Sequence, residues 1–214
     1  MGPPGSGKGT RAKIIGKMYG IPVITAGDML REAVARGTDK GEMAKAYMKK
    51  GELVPDDIVI SLMEERLSKP DAENGFVLDG FPRSMRQAVA LDRILNKQNA
   101  TLDTLVYVAA KPDTIVGRLS LRRSCPKCGA VYHLKDKPPA EEEGVCDECG
   151  GRLIQREDDV EEIIRHRFEV YERQTFPILE RYQSAGRVRE ISGDLDIDQI
   201  PDAIEGILGK PQVL

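Results

Sequence analysis

Gly2-Pro3-Pro4-Gly5-Ser6-Gly7-Lys8-Gly9-Thr10 is a glycine-rich loop running into a helix, and how it is read decides the fold. Glycines let successive backbone N–H groups turn inward around a phosphate, and the N-terminus of the following helix adds positive potential. Lys8 is spaced to reach the outer phosphates as a point charge. The general phosphate-loop pattern wants Ser or Thr directly after this lysine; here Gly9 stands there and Thr10 follows one place later. A glycine-rich turn ahead of a surface helix is the plainer alternative. Three glycines, a lysine and a helix start in register favour a phosphate site made by Gly5, Ser6, Gly7, Lys8, Gly9 and Thr10.

Outward from the loop, helical and extended patterns alternate. Ala12, Ile14, Ile15 and Met18 are spaced as one helical face closed by Gly20, and residues 21–25 form a short β-branched run. Helical patterns follow over 27–37 and 42–50, and Pro55 opens another with Asp56 and Asp57 in its first turn. Strands are expected at 76–79, 105–109 and 188–192, and helices at 85–96 and from Pro112 to about Arg122. A long helix is expected from a cap at Asp158 or Asp159 to about 185, and a last one reaches Leu208. This alternation predicts an α/β three-layer fold, a parallel sheet wrapped by helices. In such a fold the phosphate loop follows a buried central strand, yet only Met1 precedes Gly2. The central first strand is therefore expected to be missing from this chain because the sequence is truncated or its start misassigned, the alternative being a gap tolerated at a severe cost in stability, and an added upstream apolar segment is expected to raise the melting temperature.

Composition narrows the classes of function. Over 214 residues, 32 basic side chains face 35 acidic ones, a net charge of −3 that excludes a broadly basic nucleic-acid coat. Aromatics are 5 % and Trp is absent, so a base-stacking surface is poorly supplied. No apolar run approaches the roughly 18 residues of a membrane span, and Met1-Gly2-Pro3 does not open a signal peptide. A cytoplasmic protein is expected, without nucleic-acid or membrane partners.

From Ser124 to about Gln155 the texture changes to cysteines, glycines, Pro138-Pro139 and an acidic run. Cys125-Pro126-Lys127-Cys128-Gly129 and Cys146-Asp147-Glu148-Cys149-Gly150 are two C-x₂-C-G knuckles separated by 17 residues, inside the spacing window of a zinc site. Two intervening residues let one turn present both sulfurs to a tetrahedral metal. Four thiolates close the coordination sphere, so Cys125, Cys128, Cys146 and Cys149 are expected to hold a structural Zn²⁺. Two disulfides, or iron in the same geometry, are the alternatives.

Further segments add to the loop: Thr25-Ala26-Gly27-Asp28-Met29-Leu30-Arg31, Gly51-Glu52-Leu53-Val54, Leu78-Asp79-Gly80-Phe81-Pro82-Arg83, Arg118 with Arg122-Arg123, Val131-Tyr132-His133, Arg156-Glu157-Asp158-Asp159 and Arg165-His166-Arg167. In order and spacing they resemble the adenylate kinase family of nucleoside monophosphate kinases, from Gly2 to about Gly209. The resemblance implies reversible transfer of the terminal phosphoryl group of Mg-ATP to AMP, giving two ADP. It also implies a monomer with ATP, AMP and ADP as partners and Mg²⁺ accompanying ATP. The residue types suit that chemistry. A loose transition state crowded with phosphate oxygens calls for arginines and a metal, and an acceptor phosphate is already ionised and needs no general base.

The resemblance assigns Lys8, Arg83, Arg122, Arg156, Arg167 and Asp79 to catalysis, with Asp79 ordering water around Mg²⁺. Arg118, Arg122, Val131, Tyr132 and His133 would join the loop in binding ATP. Ala26, Arg31, Leu53, Val54, Gly80, Arg83, Gln87, Arg156 and Arg167 would bind AMP, with Gln87 reading the base. Asp158 and Asp159 resemble an acidic pair that meets arginines on closure. Ala26 departs from the adenylate pattern, which usually carries Thr, and this keeps another monophosphate acceptor open. A non-catalytic nucleotide-binding zinc-ribbon module is the alternative from a different class. The implied division is a core of residues 1–24, 55–121 and 159–214, an acceptor lobe of 25–54, and a metal-bearing lid of 122–158. Arg86, Arg93, Arg173, Arg181 and His166 are read as surface helix positions.

Overall fold

The computed structural model describes residues 1–211. Helix α1 (Lys8–Tyr19) leaves the glycine loop and ends at Gly20, whose φ of +66° turns the chain into β1 (Val23–Thr25). A two-helix arm follows, α2 (Ala26–Ala35) and α3 (Asp39–Lys50), with Thr38 capping α3 by accepting from the Gly41 N–H at 3.0 Å. The two helices nearly touch at Gly41, where a Cβ would lie 2.1 Å from the Ala33 carbonyl oxygen. Next come α4 (Asp56–Leu67), β2 (Val77–Asp79), α5 (Met85–Lys97) and β3 (Leu105–Ala109). After α6 (Pro112–Ser120) the chain forms the cysteine-bearing module, in which β4 (Arg122–Ser124) pairs antiparallel with β5 (Val131–His133). It closes through α7 (Glu161–Val170), α8 (Pro177–Ser184), β6 (Val188–Ser192) and α9 (Ile200–Leu208).

The mixed α/β architecture matches the expectation, with three local corrections. The helix expected from Pro112 to Arg122 stops at Ser120, because Arg122 enters β4. The long helix after 158 is interrupted by one π-helical turn, Tyr171–Thr175, between α7 and α8. Neither Asp158 nor Asp159 caps α7; Val160 stands at its N-cap, and both aspartates are drawn to arginines.

The four expected strands pair parallel, but as two ribbons: β1 with β2, and β3 with β6. Met1 alone bridges onto β3, donating its N–H to the Val106 carbonyl at 2.6 Å and accepting from Val108 N–H at 2.7 Å. Among the described residues no strand joins β2 to β3. The core is accordingly split. Ile24, Leu30, Met63 and Leu91 pack between the arm and α4–α5, whereas Ile15, Val108, Ile191 and Ile204 pack α1, β3, β6 and α9. A cavity of about 1960 Å³ runs between them. Among the described residues no helix is long and apolar enough to cross a membrane.

Candidate active site and metal centre

The phosphate loop is shaped by its glycines. Gly5 and Gly7 take φ of +75° and +87°, which side chains disfavour, and Gly7 leads directly into α1. Lys8 donates from Nζ to the Pro3 carbonyl at 2.6 Å. Burial lowers its pKa to about 7 against the opposing pull of Asp79, while Arg83, Arg167 and Arg122 push it further down. The displaced threonine also has a steric reason. A Cβ at Gly9 would sit 3.2 Å from Asp79 Oδ2, so a bulkier residue directly after Lys8 would press on that carboxylate.

The cavity brings together nearly every residue expected to bind nucleotide. It is lined by Gly5, Gly7, Lys8, Gly9 and Thr10 of the loop, and by Ala26, Arg31, Leu53, Val54, Asp79, Gly80, Arg83 and Gln87. Arg118, Arg122, Val131, Tyr132, His133, Arg156 and Arg167 complete the wall. Ser6 stands apart, fully buried behind the loop with its hydroxyl unpaired.

The arginines rest on local acceptors. Arg122 grips fully buried Asp159 through Nε and Nη2, at 2.7 and 2.5 Å. Arg167 donates to Asp158 at 2.7 Å and lies 3.5 Å from Asp159. Arg156 holds Ser124 Oγ at 2.9 Å, Arg83 holds the Gly80 carbonyl at 3.0 Å, and Arg31 pairs with Asp28 at 2.5 Å. Arg118 reaches the Gly193 carbonyl at 3.0 Å and Asp194 at 3.2 Å. Burial lowers the pKa values of Arg83, Arg156 and Arg167, the price of gathering cations in one place.

Gln87 is buried and spoken for: its Oε1 accepts from Arg83 N–H at 2.7 Å, and its Nε2 donates to Asp56 at 2.8 Å. Ala26 packs into the arm's core while touching the cavity. His133 Nδ1 lies 3.0 Å from the Asp136 backbone N and 3.1 Å from its carboxylate, while the buried Nε2 has no partner among the described residues. Asp79 makes no hydrogen bond or ion pair among the described residues; with Thr10 it offers the hard oxygen donors that suit Mg²⁺.

Several contacts were not visible in the sequence. His166, read as a surface position, pairs through Nε2 with Glu52 at 2.7 Å. Thr175, delivered by the π turn, donates to the Arg83 carbonyl at 2.8 Å. Arg11 is 3 % exposed under the loop. Helical periodicity flags none of them. Arg86 and Arg181 are surface positions as expected, pairing with Asp57 and Asp92.

The four cysteines are free, with their sulfurs all within 4.8 Å of one another. Cys125 and Cys149 lie 3.5 Å apart, as do Cys128 and Cys146, far beyond a disulfide bond. Tetrahedral zinc–thiolate bonds of about 2.3 Å place sulfurs roughly 3.8 Å apart, so the cluster fits the ion. Tyr132 supports it from behind, its hydroxyl 3.5 Å from Cys146 Sγ and accepting from Asp147 N–H at 2.9 Å. That contact lowers the Cys146 pKa, while hydrogen bonding among the neighbouring sulfurs raises those of Cys128 and Cys149, as expected when four thiols crowd together and share protons. Gly151 leaves room for the sulfurs, since a Cβ there would lie 3.0 Å from Cys125 Sγ.

A glycine loop at a helix N-terminus, a parallel α/β core and an arginine-lined cavity define a phosphoryl-transfer enzyme of the phosphate-loop class. Comparison narrows the class: the family profile described as Adenylate kinase matches residues 1–187, and the chain belongs to the adenylate kinase family. An adenylate kinase of Archaeoglobus fulgidus is 50 % identical over 210 residues, covering 98 % of this chain and 96 % of that one. Adenylate kinases of Geobacillus sp. and Thermodesulfovibrio yellowstonii are each 49 % identical, covering 99 % and 98 % of this chain and 98 % and 97 % of theirs.

Proposed function

We propose that the cavity binds Mg-ATP on the phosphate loop and AMP beside Arg31, Arg83 and Gln87, and converts them reversibly to two ADP. What carries this reading is that Lys8, Asp79 and the six arginines expected to contact nucleotide line one cavity, with Arg11 as a seventh. An oxygen of the acceptor phosphate attacks the γ-phosphorus of ATP as the bond to the β–γ bridging oxygen breaks, and the ADP so released carries the electron pair. The acceptor is already ionised, so no residue removes a proton. Lys8 and the loop N–H groups hold the donor phosphates. Arg83 and Arg31 orient the acceptor, and Arg122, Arg156 and Arg167 surround the transferring group. Asp79 and Thr10 would hold Mg²⁺ through its water shell, and the ion supplies charge neutralisation between the donor phosphates. Residues 25–54 would act as the acceptor lobe and 122–158 as a lid, stiffened by Zn²⁺ on Cys125, Cys128, Cys146 and Cys149.

The resting contacts leave donors free: Arg122 Nη1 and Arg167 Nη2 can meet phosphate oxygens while Asp159 and Asp158 stay paired, and Gln87 keeps a second Nε2–H for a base while bonded to Asp56. Purified protein given ATP, Mg²⁺ and each of AMP, UMP, CMP and GMP tests the assignment. ADP formed fastest with AMP, and abolished in Lys8→Ala, is the expected result. Faster transfer to UMP or CMP would move the acceptor, as the missing hydroxyl at Ala26 allows. No ADP with any acceptor would overturn the reaction.

A further inference from the structure

We infer that Arg11 is a positioning residue for the donor nucleotide, bracing the phosphate loop against the wall that follows β6. The inference rests on the donor subsite proposed above.

Arg11 follows Thr10 on α1, yet it is only 3 % exposed, which is costly for a guanidinium unless its donors are used. Its Nη2 donates to the Ser192 carbonyl at 2.6 Å, and its Nη1 to the Gly7 carbonyl at 3.3 Å. Nε is buried without an acceptor. Both acceptors are backbone carbonyls. The nearby carboxylate of Asp194 lies 3.2 Å from Arg118, and Arg11 makes no ion pair among the described residues. Burial, reinforced by Arg118, pulls the Arg11 pKa below its ordinary range. A buried cation with no counter-ion raises the positive potential beside Lys8 and Arg118, where a polyanion is to sit.

The two carbonyls belong to the two sides of one junction. Gly7 ends the phosphate loop, and a Cβ there would stand 2.6 Å from Arg11 Nη1. Ser192 ends β6; the next residue, Gly193, donates to the Ala109 carbonyl, and a Cβ on it would lie 2.9 Å from the Ser6 carbonyl oxygen. Arg11, itself at the cavity wall, crosses this seam, and Arg118 holds Gly193 and Asp194 beside it. Residues 193–198 then line the cavity. A nucleotide whose phosphates occupy the loop extends along a wall whose distance from the loop Arg11 sets. The acceptor subsite, built from the α2–α3 arm, Arg83 and Gln87, shares none of these contacts.

Titration calorimetry of the full chain with Mg-ATP and separately with AMP, alongside thermal melting, tests this in Arg11→Met, Arg11→Gln and Arg11→Lys. Arg11→Met is expected to weaken ATP at least tenfold while AMP changes less than twofold, and Arg11→Lys to recover part of the loss through its charge. Unchanged ATP affinity in folded Arg11→Met would overturn the proposal. So would equal losses for ATP and AMP in step with melting temperature, or failure of all three variants to fold, since each assigns Arg11 to stability alone. A wild-type chain that binds ATP but transfers no phosphoryl group would sink the proposed reaction and leave the Arg11 comparison standing.

Discussion

Burial takes Lys8 away from the water that keeps an ordinary lysine charged, and its pKa of about 7 makes the phosphate loop sensitive to proton concentration. A bound triphosphate favours the charged form, so the pKa in the complex lies above that of the free protein. Below about pH 7 Lys8 is already protonated and this group leaves ATP affinity flat. Above it, binding must take up a proton, and affinity falls by up to tenfold per pH unit until the pKa of the complex is passed. Calorimetry at pH 8 in two buffers of different ionisation enthalpy reads this directly. Wild type is expected to take up a large fraction of one proton per ATP, and Lys8→Arg none, because arginine stays charged. Zero uptake in the wild type would contradict the burial argument. The residue after Lys8 is constrained as well: Gly9 leaves room for the Asp79 carboxylate, which a Cβ there would meet at 3.2 Å.

The cysteine-bearing module stands on its own cluster, in which Cys125, Ala130, Tyr132, Cys146 and Leu153 are buried together. Five side chains make a very small core, so the module depends on whatever joins the four sulfurs. Removing the metal with a chelator, or introducing Cys146→Ser, is expected to abolish hydrogen-exchange protection over residues 122–156 while β3, β6 and α9 keep theirs. Metal analysis should find one zinc per chain in the wild type, and unchanged protection after its removal would refute the role. Both cysteine pairs were legible because their geometry is local, as were β1, β2, β3 and β6, whereas β4 (Arg122–Ser124) and β5 (Val131–His133), too short and too polar to stand out, were not. The rest depends on distant partners. Arg11 meets Ser192 across 181 positions, His166 meets Glu52 across 114, and Thr175 meets Arg83 across 92. The cap expected at Asp159 failed for the same reason, since Arg122 across 37 positions outbids the local N–H groups of α7. The arginines around the cavity were identified only through motif resemblance, because no spacing rule separates them from solvated helix faces.

Across the whole molecule, the α2–α3 arm is tied to α7 where the two elements pass closest. A Cβ on Gly51 would lie 2.8 Å from Arg167 Cγ and 2.9 Å from Ile163 Cγ2, so the end of α3 rests on the helix that carries Arg167. Two side-chain pairs flank this contact: Glu52 with His166 at 2.7 Å, and Lys49 with Glu157 at 3.1 Å. They join the expected acceptor arm to both sides of the arginine cluster. All four side chains are at least one-third exposed, so each pair contributes about 0–1 kcal/mol, and the Lys49–Glu157 ion pair is weakened by salt. Together they bias how closely the arm sits on α7 by a factor of about thirty at most. The double variant Glu52→Gln, Glu157→Gln is therefore expected to raise the KM for AMP two- to tenfold at low ionic strength, with the KM for ATP unchanged. The gap between variant and wild type should narrow as salt is raised, because screening weakens the Lys49–Glu157 ion pair that the wild type keeps and the variant lacks. Equal KM values for AMP at low salt would show that packing of Gly51 against Ile163 and Arg167 holds the arm without help from charge.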